Sequence, residues 1–82
     1  MFPSKFTIED DNILISFPDL PGCLSCAKTF EEAMKGAEAA MALYLMSMKE
    51  VGTEIPNPTA SKDIWLELNQ IIMLIQVIFP HI

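Results

Sequence analysis

The sequence predicts an α+β domain: three antiparallel strands, a long helix, a short helix and a fourth strand, with the helices packed on one mixed sheet. Three observations carry this. Residues 5–27 hold short runs of β-formers separated by turn residues. Residues 29–52 carry a helix start signal, a helical apolar stripe and a glycine stop. Residues 70–79 form an apolar run rich in isoleucine.

Lys5-Phe6-Thr7-Ile8-Glu9 alternates in polarity and predicts the first strand. Asp10-Asp11-Asn12 has hairpin composition. Asn12 to Phe17 predicts the second strand, with Ile13, Ile15 and Phe17 on one face. Pro18-Asp19-Leu20-Pro21-Gly22 must leave the ladder, because proline cannot donate and Gly22 permits positive φ. Cys23 to Ala27 predicts a short third strand.

Thr29 and Glu32 have capping-box spacing, and Glu31 and Glu32 complement the helix dipole. The helix is predicted to run to about Glu50, with Gly52 as its stop. Phe30, Met34, Ala37, Met41, Leu45 and Met48 share one face, and Glu31 and Lys35 form an i,i+4 pair. Residues 39–48 are apolar nearly all round, which predicts cover on two sides. After a two-proline loop, Thr59 or Ser61 is the expected cap of a short helix ending near Leu68. Gln70 to Phe79 then predicts a strand buried on both faces and parallel to a neighbour.

The 82 residues carry five Lys and no Arg against eleven Asp and Glu, a formal net charge of −6. The pI is near 4.4, yet 51% of residues are hydrophobic and the mean hydropathy is +0.35. Nucleic-acid binding by this chain and docking on an anionic membrane are both disfavoured, since phosphate neutralisation needs clustered Lys and Arg. A basic protein partner is compatible with the charge. No stretch reaches the ~20 apolar residues of a membrane helix, and the start Met1 to Lys5 shows no signal peptide. The expectation is one cytoplasmic domain over residues 1–82 with no C-terminal DNA-binding domain.

Phe17-Pro18-Asp19-Leu20-Pro21-Gly22-Cys23, then Thr29-Phe30-Glu31-Glu32-Ala33 and Ala37, then Gly52 with Ile55-Pro56-Asn57-Pro58, resemble the HicB antitoxin family. These motifs cover roughly residues 2 to 58. The resemblance implies a partial ribonuclease-H-like fold. It also implies direct binding to a small basic HicA-type ribonuclease toxin, and assembly into dimers or larger oligomers. The residues expected to face such a partner are Asp19, Leu20, Glu31, Glu32 and Glu38. Self-association is expected through Tyr44 and Met48 on the helix and Ile72, Leu74, Gln76 and Ile78 on the last strand. The competing reading is a stand-alone oligomeric interaction or small-ligand module without a toxin.

Catalytic and metal readings are weak. Cys23 and Cys26 are offset by three on a predicted strand, so their sulfurs point to opposite faces and cannot converge on a metal. A two-metal nuclease needs carboxylates converging from several elements, including the central strands. Here Glu9, Asp10 and Asp11 sit in a turn, Glu31 and Glu32 open the helix, and residues 70–79 contain no acid. His81 is the sole imidazole, and no serine has a nucleophile-elbow context. No catalytic, cofactor or metal residue is assigned. The acids concentrate toward the front: Glu9, Asp10, Asp11, Asp19, Glu31, Glu32 and Glu38 are seven of the eleven.

Overall fold

The computed structural model describes residues 1–76. Strands β1 (Phe2–Ile8), β2 (Ile13–Ser16) and β3 (Leu24–Ala27) precede helix α1 (Phe30–Glu50). A single 3₁₀ turn at Ser61–Asp63 and strand β4 (Gln70–Ile75) follow. The sheet order is β3-β2-β1-β4, and every neighbouring pair is antiparallel. The α+β reading with one long helix before the last strand therefore holds. Part of the predicted last strand, with Ile78, lies outside the described residues.

Each turn follows from its residues. The β1–β2 hairpin closes with Glu9 N–H donating to Asn12 O at 2.8 Å. Two linked turns then replace the ladder. Leu20 N–H donates to Phe17 O and Cys23 N–H to Leu20 O, both at 3.0 Å. Pro18 and Pro21 each stand at the second position of a turn, where a fixed φ is an advantage. Gly22 has φ +85°, as a type II turn requires at its third position.

At the head of α1, Thr29 is extended and its Oγ1 accepts from Glu32 N–H at 3.2 Å. At the other end Gly52 has φ +76°. Thr53 N–H donates to Met48 O at 2.9 Å and Gly52 N–H to Lys49 O at 3.2 Å, which is a Schellman stop.

The registers sort the side chains into two faces. Phe2, Phe6, Ile13, Ile15 and Ile75 face α1 and are buried together with its Ala33, Ala37, Met41 and Leu45. Phe17, Leu20 and Cys23 from the double turn close one end of this core. Phe6 also stacks on Phe30 with ring centroids 6.0 Å apart. Ser4 is fully buried on the same face, and its hydroxyl donates to Met73 O at 2.8 Å. A Cβ at Gly36 would meet Ser25 Oγ at 3.1 Å, so α1 lies close upon β3.

Four expectations need correction. First, β4 is antiparallel to β1, not parallel to a neighbour. The helix starts at the hairpin end, where β3 ends opposite Ile13, and runs to the double-turn end, where Tyr44 contacts Pro21. A parallel strand would begin there. Instead residues 51–69 carry the chain back before pairing starts. Ten residues from Thr59 to Asn69 can reach about 33 Å, enough to span the ~31 Å of a 21-residue helix. The return ends with Ile8 N–H donating to Asn69 O at 2.8 Å and Asn69 Nδ2 donating to Ile8 O at 3.3 Å.

Second, β4 is not buried on both faces, because Ile71 and Leu74 are 38% and 50% exposed. α1 covers one face of the sheet, and among the described residues no helix covers the other. Likewise Leu43 and Met46, in the all-round apolar stretch of α1, remain exposed in the single chain. The short helix shrinks to the 3₁₀ turn, with Ala60 before it; Thr59 is engaged elsewhere.

Candidate functional site

The Pro18–Gly22 segment is the most constrained surface feature. Its Asp19 is half-buried, and Thr59 grips it from 40 residues away. Thr59 N–H donates to Asp19 Oδ2 at 2.8 Å, and Thr59 Oγ1 donates to Asp19 Oδ1. Tyr44 pins the same segment from α1, its hydroxyl donating to Pro21 O at 2.7 Å. Helix, double turn and return segment are thus tied at one point. Asp19 is held by this latch and not by local turn amides. Leu20, expected at a partner surface, is 1% exposed and belongs to the core. Its side chain supports the turn from inside.

Glu31, Glu32 and Glu38 are exposed on α1. Glu31 lies 3.8 Å from Lys35 Nζ in an exposed pair of small energetic weight. Tyr44 and Met48 are half-buried, Met48 packing against the core. On β4, Ile72 and Leu74 lie on the uncovered sheet face and Gln76 is exposed. The structure therefore scatters the expected partner residues: Asp19 at the double-turn end, Glu31 and Glu32 at the hairpin end, and Glu38 on the helix between.

The uncovered sheet face has clear rows. Cys26, Leu14, Thr7 and Gln70 lie side by side across β3, β2, β1 and β4. Leu24, Ser16, Lys5 and Ile72 form the next row, and beyond it Leu74 lies beside Pro3, which is fully buried, so the face is open toward the hairpin and closed at Pro3. Gln70 Nε2 donates to Thr7 Oγ1 at 3.0 Å, so these two polar groups partner each other. Leu14 and Leu24 are 43% and 68% exposed. Sequence reasoning named Ile72 and Leu74 of this face but not Leu14 and Leu24, because only the strand register brings the four onto one side.

One end of the molecule is strongly acidic. The hairpin brings Glu9, Asp10 and Asp11, the helix start brings Glu31 and Glu32, and the turn before β4 brings Glu67. Lys28 and Lys35, the latter paired with Glu31, are the cations here, so six acids against two lysines leave this end at −4 of the formal −6.

Chemically active groupings are sparse. Cys23, which closes the double turn, is buried in the core, and Cys26 on β3 is exposed on the opposite side of the sheet. Burial pushes the Cys23 thiol above its ordinary range and keeps it protonated. Among the described residues no three His, Cys, Asp or Glu side chains are grouped to hold a metal. None of the four strands contains a carboxylate. No helix among the described residues is long and apolar enough to cross a membrane.

Comparison with known proteins agrees with this architecture. A 14.9 kDa protein of the rep-hol intergenic region of Haemophilus phage HP1 is 34% identical over 56 residues, 68% of this chain and 42% of its own length. The chain thus spans less than half of that phage protein. A UPF0150 protein of Thermoplasma acidophilum is 33% identical over 63 residues, 71% of this chain and 91% of its own length. A chain of the solved HicA3 and HicB3 toxin-antitoxin complex has the same fold, with a TM-score of 0.75 at 23% identity, covering 93% of this chain and 95% of that one. The family model of the HicB-like antitoxin of bacterial toxin-antitoxin systems matches residues 5–78. With its strand order, double turn and capped helix in place, the chain belongs to the HicB-like antitoxin family.

Proposed function

We propose that this chain neutralises a small basic HicA-type RNA-cleaving toxin by binding it directly, without catalysis of its own. The family match over residues 5–78 carries the reading. The likeness to a chain from a toxin-antitoxin complex supports it, as does the concentration of formal charge at one end. Opposite potentials speed the encounter of such partners. A chain with five Lys and no Arg is poorly equipped for nucleic acid, so the protein partner and not RNA or operator DNA is its target. The reading places the chain in the cytoplasm, with both thiols reduced.

Self-association belongs to the same proposal. β4 is an edge strand, Gln70-Ile71-Ile72-Met73-Leu74-Ile75, with neither charge nor proline to discourage pairing. A second copy pairing along this edge continues the sheet and leaves its uncovered face open.

The deciding experiment is co-expression with a small, basic, histidine-containing toxin of the HicA type. The expected result is a stoichiometric complex in which RNA cleavage is lost. A toxin that elutes alone and still cleaves RNA overturns the proposal.

A further inference from the structure

Resting on the antitoxin reading, we infer that the basic partner docks on the uncovered sheet face, centred on Leu14 and Leu24, with the acidic hairpin as its charged rim. The face presents Leu14, Leu24, Ile72 and Leu74, with Lys5 as its one charged residue. Leu24 at 68% and Leu14 at 43% exposure adjoin diagonally across β3 and β2, while Leu74 at 50% lies on the far side of Lys5 on β4. A depression lined by Thr7, Leu14, Ser16 and Leu24 lies within the face. The cross-strand bond between Gln70 and Thr7 removes two polar groups that water would otherwise have to solvate.

Charge selects the occupant. Leu14 is two residues from the hairpin turn, so Glu9, Asp10 and Asp11 border the patch at its end. A basic protein on the face brings its cations to these carboxylates. A second copy would bring another −6 and an identical acidic rim. Apolar contact at the centre and opposite charge at the rim is the usual division within a protein interface. The Asp19–Thr59 latch and Leu20 lie outside this surface, and their work is internal.

The test uses the full chain and a small basic toxin of the HicA type that binds it. Leu24→Glu and Leu14→Glu are each expected to weaken binding at least tenfold. Ala39→Glu, on the exposed back of α1, is expected to stay within twofold of the parent. The triple variant Glu9→Gln, Asp10→Asn, Asp11→Asn is expected to slow association and flatten its salt dependence while dissociation changes little. Thermal melts of each variant alone separate lost binding from lost folding. Leu24, at a four-residue edge strand, keeps the test sound if Leu14→Glu unfolds the chain. Undiminished binding by folded Leu24→Glu overturns the inference and leaves the antitoxin reading intact. Loss confined to Ala39→Glu moves the interface to the helix and also overturns it. Failure of the parent chain to bind any such toxin overturns the antitoxin reading itself.

Discussion

Asp19 shows how a conspicuous surface motif can serve the fold. Its carboxylate accepts from both the amide and the hydroxyl of Thr59, and the loop carrying it is anchored again by Tyr44. Hydrogen bonds to a charged group are worth about 1.5–3 kcal/mol each when partly shielded from water. Asp19→Ala is expected to cost about 1–3 kcal/mol, and Thr59→Val, which removes only the hydroxyl, about 1 kcal/mol. In urea denaturation the double variant should lose less than the sum, with a coupling of at least about 0.5 kcal/mol. Strictly additive losses would show that the two residues do not act as a unit. The motif was legible as a turn because Pro18, Pro21 and Gly22 dictate backbone angles locally. Its partner was not legible, because no local rule links positions 40 apart.

At the scale of the element, α1 divides its leucines sharply. Leu45 is 1% exposed in the core and Leu43 is 69% exposed. Leu45→Ala is expected to destabilise by about 2–5 kcal/mol through lost burial and a residual cavity. Leu43→Ala should stay within about 0.5 kcal/mol for the isolated subunit. Chemical denaturation of the two variants checks this, and equal losses would mean that Leu43 is covered in solution. The helix ends were readable because Thr29, Glu32 and Gly52 each satisfy terminal backbone groups by short-range geometry. The direction of β4 is not legible locally, because a loop and short helix after Gly52 fit either direction and only the extended return through 51–69 fixes it. The 19-residue gap between Glu50 and Gln70 is long enough to bring the chain back along the whole helix.

At the scale of the whole molecule, among the described residues one helix on one side of a four-stranded sheet leaves an open face and an unguarded edge. Both are costly in water, and the proposed partner and a second copy would each cover one of them. Light scattering at micromolar concentration is expected to report a dimer or larger assembly, and a strict monomer would refute pairing along β4. The end-to-end charge asymmetry adds a salt dependence to partner association, weakening as ionic strength rises and the Debye length falls from about 10 Å. The acidic, strongly apolar composition is thus partitioned in space. The carboxylates gather where the hairpin, the helix start and the turn before β4 meet, and the surplus apolar residues lie on the sheet face and the helix back.

The sequence by itself determined the four strands, the long helix with its caps, the double turn, the Ala37, Met41 and Leu45 part of the α1 stripe and the family, because each depends on residues a few positions apart. The tertiary structure alone decided the antiparallel entry of β4, the latch between Asp19 and Thr59, the withdrawal of Leu20 into the core, and the joining of Leu14, Leu24, Ile72 and Leu74 into one face. These depend on how the chain returns through 51–69 and on the register of strands far apart in sequence. Contacts of that kind are set by the packing of the whole chain, and no local pattern encodes them.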